Sequence, residues 1–277
     1  MKENKNLKGI AAVTKYLVLT LLGMTMLYPF IWLFFNAFKE QYEIYSNPFG
    51  LPAQWLVQNL SAAWNMARIP NSFFNSMLVS FTAVTLILSM SAPAAYSISR
   101  KMVPKWVYSY FSLGIMIAAH TVLIPTFSIL KEIRLFDKPQ ALILVYSAAN
   151  LSLAIFILVG FMNSLPVEIE EAATIDGCGG IRRFIRIVLP MSRSGLATVG
   201  TLTFLNCWNE YLFAFVIIRS NRFKTLTQSI MGLQGQYASN VAMLCAGLFI
   251  SILPVIIIYC LFQEQVIKGL TAGAVKG

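Results

Sequence analysis

Long apolar runs alternate with short charged stretches along the chain, and this alternation restricts the possible folds more than any other feature. The runs fall at 16–38, 72–98, 106–130, 141–162, 195–218 and 241–262. Each reaches the ~20 residues that a helix needs to cross the hydrocarbon of a bilayer. A soluble domain carries about 25% charged residues. This chain carries 12%, so a soluble fold is excluded. The pattern predicts an all-α polytopic membrane protein, with six transmembrane helices in one domain over 1–277. The first run follows Lys2, Lys5 and Lys8 as a secretory signal would. It is too long for the apolar core of one and lacks a small-residue cleavage site, so it reads as a retained helix.

Lysine and arginine placement predicts orientation, because short cytoplasmic loops are enriched in both. With the N-terminus inside, the cytosolic segments hold Lys2, Lys5, Lys8, Lys15, Arg100, Lys101, Lys105, Arg182, Arg183, Arg186, Arg193, Lys268 and Lys276. Fewer fall outside, although Arg219, Arg222 and Lys224 in the last outer loop run against the rule. Both termini and the charged segment 163–194 are therefore expected in the cytosol. The net charge of +10 is spread over loop ends on both faces, which suits anchoring to anionic membrane lipid and not nucleic-acid binding. Cys178, Cys207, Cys245 and Cys260 show no CxxC spacing, so neither a metal site nor a disulfide framework is expected. P-loop, GxSxG and HExxH motifs are absent, and with them any recognisable catalytic residues.

Segment 163–194 concentrates charge: Glu168, Glu170, Glu171, Asp176, Arg182, Arg183, Arg186 and Arg193. Each would cost ~2.5 to 3.5 kcal/mol at a bilayer centre, which puts the segment outside it. Ser164, Leu165 and Pro166 suit a helix start, and the glutamates fall in its early turns, where carboxylates complement the helix dipole. Gly177 can stop that helix in a left-handed conformation, and Gly179 and Gly180 continue the break. A second helix is expected from Ile181. Its Ile181, Phe184, Ile185 and Val188 share one face, its Arg182, Arg183 and Arg186 take the other, and Pro190 ends or kinks it. Such a segment is either an interfacial cover over the bundle or a docking element.

The spacing Glu171-Ala172-Ala173, three residues, Gly177, nine residues, Ile187-x-Leu189-Pro190 resembles the signature of permease subunits of binding-protein-dependent ABC importers. Further similarity lies in Pro29-Phe30-Ile31-Trp32, Asn36-Ala37-Phe38-Lys39, Asn75-Ser76, Ala95 to Arg100, Ile124-Pro125, Trp208-Asn209-Glu210-Tyr211, Gly269-Leu270 and Gly273 to Gly277. The chain thus looks like the smaller, six-span partner of a maltose-permease-like carbohydrate importer. That resemblance implies a cytosolic coupling helix between spans four and five that docks on an ATPase through Glu171, Ala172, Ala173, Asp176, Gly177, Ile187, Leu189 and Pro190. It also implies a second permease subunit, two ATPase subunits, an extracytoplasmic solute-binding protein and a carbohydrate substrate. ATP and magnesium would be used by the ATPase, with no cofactor on this non-catalytic chain. The expected location is a bacterial plasma membrane. Cys178-Gly179-Gly180 and Asn36-Ala37 depart from the usual family residues.

Candidates for the substrate pathway are polar residues inside the runs. Glu210 is the one carboxylate within any predicted span, and Trp208, Asn209 and Tyr211 surround it. That group suits sugar hydroxyls and stacking on a sugar ring, or else Glu210 pairs with a neighbouring helix. His120, the one histidine, is expected mid-span, as interhelical glue or as a ligand. Asn75, Asn150 and Asn206 read first as helix-to-helix hydrogen bonders. Pro93, Pro125 and Pro254 should kink their spans. The outer segment 39–71, with Trp55 and Trp64, is either an interfacial belt or a contact for the solute-binding protein. The competing reading, a self-sufficient secondary transporter or channel, would want more intramembrane charges and inverted repeats than this chain offers.

Overall fold

The computed structural model describes residues 3–236 and 240–274, and every regular element among them is a helix. The chain divides into two compact units, one of residues 1–68 with 230–252 and one of 69–229 with 253–277. Within the first, α1 (Glu3–Asn36) is followed by α2 (Gln41–Ser46) and α3 (Gln58–Met66). The stretch Val13–Asn36 has a mean hydropathy of 2.0 and buries none of its 18 most apolar residues against the chain itself. A helix apolar on all sides and uncovered by its own chain is suited to lipid. At its end the chain turns sharply: Asn36 Nδ2 donates to the carbonyls of Trp32 (2.7 Å) and Pro48 (3.3 Å), and buried Lys39 donates to Asn47 O (2.7 Å). Asn59 Nδ2 donates to Ala37 O and Lys39 O, folding 36–59 back on the helix terminus. Trp55 packs its ring against Phe34, Phe35 and Phe38, whereas Trp64 stays half exposed.

The second unit is organised by α4 (Ile69–Ser99), which buries Ser72, Ser76, Ser80, Ala83, Ser91 and Ala95 along one stripe. Small residues at helical spacing let backbones approach closely, the usual way membrane helices associate. Then come α5 (Lys105–Met116), a 3₁₀ turn (Ala119–Val122), α6 (Leu123–Glu132) and α7 (Pro139–Asn163). α7 packs along α4 and answers its stripe with buried Ala141, Ser147 and Ala154. The continuous helix expected over 106–130 does not form: α5 and α6 are bent by 82° at residues 117–122. Pro125 is not the cause, since it sits in the first turn of α6, where a missing N–H costs nothing. Gly114 on α5 lies so close to Ser152 of α7 that an added Cβ would collide with the hydroxyl. Pro93, by contrast, is carried inside α4 without ending it.

The remaining elements are α8 (Glu168–Ile175), α9 (Gly180–Arg183), a π turn (Phe184–Val188), α10 (Leu189–Met191), α11 (Arg193–Asn209), α12 (Leu212–Ile217), α13 (Leu226–Gln236) and α14 (Val241–Ala274). The run 195–218 is thus interrupted at Glu210–Tyr211. Among the described residues four helices are long and apolar enough to cross a membrane, or five if the bent α5–α6 pair counts as one span. α11 packs on α4 and α7, and Gly195 permits it, because a Cβ there would come within 2.7 Å of the Phe161 ring. Pro254 lies within α14, which continues past it.

Candidate functional site

Segment 163–194 leaves α7 at Ser164, whose hydroxyl donates to Phe161 O (2.6 Å). The helix start expected at Ser164–Pro166 therefore lies later, at Glu168, because Ser164 is used to close the preceding helix. Glu168, Glu170 and Glu171 occupy the first turn of α8. That helix ends as the glycine predicts: Gly177 takes φ +78°, its N–H bonds Thr174 O (3.0 Å), and Cys178 N–H bonds Ala173 O (2.9 Å). These paired bonds are a Schellman motif, which satisfies carbonyls the helix would otherwise leave open.

The second arm departs from its expected pattern. The Leu189 N–H bonds Phe184 O, five residues back, so the turn before Pro190 is π and not α. Pro190 has no N–H to give, and the wider turn accommodates that loss. An extra residue in the turn breaks the 3.6-residue repeat: Phe184, Val188 and Leu189 face the core, while Ile181 and Ile185 are exposed. Ile175 and Ile181 are 87% and 79% exposed, an apolar tip on an otherwise charged segment. Glu171, Ala172, Asp176, Gly177 and Pro190 are exposed with them, whereas Ala173, Ile187 and Leu189 are half-buried.

Sequence reasoning missed the residue that seats this segment. Glu170 is buried, and its Oε1 accepts from Arg100 Nε (2.7 Å) and lies 2.6 Å from Arg100 Nη2 as an ion pair. Its Oε2 accepts from the Tyr96 hydroxyl (2.8 Å) and lies 3.5 Å from Arg183 Nε. Arg183 in turn donates to the Tyr96 hydroxyl oxygen (3.1 Å) and to Thr174 Oγ1, and Arg100 Nη1 donates to Met162 O (3.1 Å). The bond to Tyr96, helped by Glu170, raises the Arg183 guanidinium above its ordinary value, so it stays charged. The available signal was a run of three closely spaced glutamates, of which one falls on the inner face of a helical turn. Sequence alone does not say which.

A second feature lies among α5, α7, α11 and α12. A cavity of about 310 Å³ is lined by His120, Asn150, Asn206 and Glu210, together with Tyr146 and Cys207. Glu210 sits in the break between α11 and α12, where Oε1 accepts from Phe213 N–H (2.8 Å) and Oε2 from Ala214 N–H (3.2 Å) and the Tyr146 hydroxyl (2.8 Å). It therefore caps α12, as a carboxylate at a helix N-terminus should. Asn206 Nδ2 donates to Asn150 Oδ1 (3.0 Å), and His120, exposed in the α5–α6 bend and not mid-helix, stacks near Phe213. The other candidates are not gathered there. Trp208 is buried against Phe73 and Phe204, the Tyr211 ring lies tilted against that of Phe215, Asn209 is exposed away from the cavity, and Asn75 donates to Arg222 O (2.8 Å) and Lys224 O (3.0 Å).

The arrangement has solved counterparts. A chain from a bacterial ABC transporter involved in the import of the acidic polysaccharide alginate superimposes with a TM-score of 0.77, covering 92% of this chain and 96% of its own, at 20% identity. The fold is thus one used in ABC transporters. The chain itself belongs to the family of binding-protein-dependent transport system inner membrane components, whose pattern matches residues 10–268. A putative ABC transporter permease of Caldicellulosiruptor sp. is 38% identical over 256 residues, 90% of this chain and 91% of that one. The diacetylchitobiose uptake system permease NgcG of Streptomyces coelicolor is 31% identical over 269 residues, 96% and 89% of the two chains. Family membership makes this protein a membrane component of a transport system.

Proposed function

We propose that this chain is one of two transmembrane subunits of an ATP-driven carbohydrate importer, with six spans and both termini in the cytosol. It couples through segment 163–194 to a separate pair of ATPase subunits, which use ATP and magnesium, and takes sugar from a solute-binding protein. The observation that carries the coupling role is the exposed tip of that segment. Ile175 and Ile181 protrude on either side of the Gly177 turn, while the segment's base is tied down through Glu170. Apolar residues so exposed in a charged segment fit a groove on a partner. The relatives that take up sugars support the carbohydrate class. The cavity holding Asn150, Asn206, His120 and Glu210 supports a polar solute path, because its volume falls at the lower end of ligand sites, ~300–1,000 Å³.

Nucleotide-driven closure of the ATPase pair would pull the tip, and the helices behind it would rock between two orientations. Affinity purification of the tagged chain from its native membrane tests the coupling. The ATPase should copurify with the wild type and be lost with Gly177→Pro or Glu171→Lys. Sugar flux in proteoliposomes that contain this chain alone would overturn the proposal.

A further inference from the structure

We infer that Glu170, Tyr96 and Arg100 form a positioning clamp that makes segment 163–194 move as one body with the ends of α4 and α7. This rests on the coupling role proposed above and names how that site transmits motion.

The sole buried side chain of α8 is a carboxylate. A short helix normally seats itself by an apolar stripe. α8 instead places Ile169 and Ile175 outward and sends Glu170 in. Its receptor spans several elements: Tyr96 comes from the last turn of α4 and Arg100 from the residue just past its end, and Arg100 also grips the Met162 carbonyl in the last turn of α7. The return arm joins the same point, since Arg183 contacts Tyr96, Thr174 and Glu170, and the Phe184 ring lies 5.2 Å from that of Tyr96. One carboxylate therefore ties both arms of the segment to two long helices.

Directional ion pairs suit this task better than a greasy face would. Apolar surfaces slide with little loss, whereas removing one partner of a buried pair leaves an uncompensated charge. Two guanidinium groups on one carboxylate make opening costlier still, so the clamp stays closed while the tip is pulled. Glu170 and Arg100 act by holding the coupling tip in register with the helices.

The test uses the complete importer in proteoliposomes, with sugar uptake and ATP hydrolysis measured together. Glu170→Gln should leave ATPase copurification and hydrolysis in place but lower sugar moved per ATP by about tenfold, within the ~5–150-fold range of allosteric couplings. Arg100→Lys, which keeps a charge but loses the planar group that reaches both the Glu170 carboxylate and the Met162 carbonyl, should fall between. In a cysteine-free importer, Arg100→Cys with Glu170→Cys should be uncoupled, and bridging the two thiols with a short bis-maleimide should restore uptake per ATP. A merely structural role would not produce that rescue. Full coupling in Glu170→Gln with the ATPase bound, or a bridged protein that stops transporting, overturns the clamp while leaving the docking role intact. A wild-type chain that recruits no ATPase overturns both.

Discussion

Glu170 is held by cations and Glu210 by backbone dipoles, although each lies in the packed part of the same unit. Glu170 receives Arg100 at 2.6 Å, Tyr96 at 2.8 Å and Arg183 at 3.5 Å, from residues up to 87 positions apart in sequence from one another. Glu210 receives the N–H groups of Phe213 and Ala214 from its own next turn, and one long-range partner, Tyr146. The first carboxylate joins separate elements. The second shapes a local break, turning α11 into α12 and leaving its edge on a polar cavity. A carboxylate in an apolar chain is thus not by itself a substrate ligand, and the identity of its partners tells which work it does. For Glu210 to meet a sugar, a hydroxyl would have to share oxygens already engaged by three donors.

The largest effect expected from this contrast is at Glu170. Glu170→Ala strands Arg100 with 10% of its side chain exposed and should destabilise the protein by ~3–5 kcal/mol, the usual cost of breaking a buried pair. Thermal unfolding of the solubilised importer measures it. A loss below about 1 kcal/mol, ordinary for a solvated pair, would break the distinction between the two glutamates.

Glu210→Gln should cost less, ~1.5–3 kcal/mol, because only hydrogen bonds to a charged group are weakened and no counter-charge is left buried. An amide has one accepting oxygen, so it cannot serve Phe213, Ala214 and Tyr146 together. Unwinding of α12 should accompany the loss, visible as faster amide exchange over residues 212–217. Should Glu210→Gln instead abolish uptake with no change in exchange or stability, Glu210 belongs to the sugar path and the contrast needs redrawing.

How much of this was readable beforehand follows from the range of the forces involved. The Gly177 turn was legible because a left-handed residue after a helix is a local demand that glycine meets alone. The apolar stretches of α1, α4, α7 and α14 were legible because each satisfies its own backbone. The π turn at Phe184–Val188, the 82° bend between α5 and α6 and the break at Glu210 were not. Each is accompanied by a contact with another helix that local sequence does not announce: Gly114 with Ser152, Phe184 with Tyr96, Glu210 with Tyr146. His120 and Glu210 were singled out for their chemistry and do share a cavity, yet the pairing of Glu170 with Arg100 bridges 70 residues and left no local periodic mark.

Two glycines of the coupling segment offer a smaller and cleaner contrast around the Glu170 anchor. Gly177→Ala puts a Cβ on a left-handed residue and should cost ~1–2 kcal/mol, although no atom stands within 4 Å of it. Gly179→Ala meets equally open space at φ −65°, and should stay within about 0.5 kcal/mol of wild type. Equal losses for the two would mean that open space and not backbone conformation sets the requirement at Gly177.

Asn206→Ala is expected to change stability least, within about 0.5 kcal/mol, because its side chain is exposed and loses one hydrogen bond, to Asn150 Oδ1 at 3.0 Å. Its value lies in the cavity that Glu210 borders. If that cavity carries sugar, Asn206 is the amide there that is least committed to the protein, since Asn150 already donates to the Tyr146 carbonyl at 2.9 Å. Removing one neutral hydrogen bond to substrate is worth ~0.5–1.5 kcal/mol, so the half-saturating sugar concentration should rise between about twofold and tenfold. Turnover at saturation should be kept. Uptake kinetics that match the wild type would show that Asn206 only braces Asn150, and would leave both the amide pair and Glu210 on the structural side of the comparison.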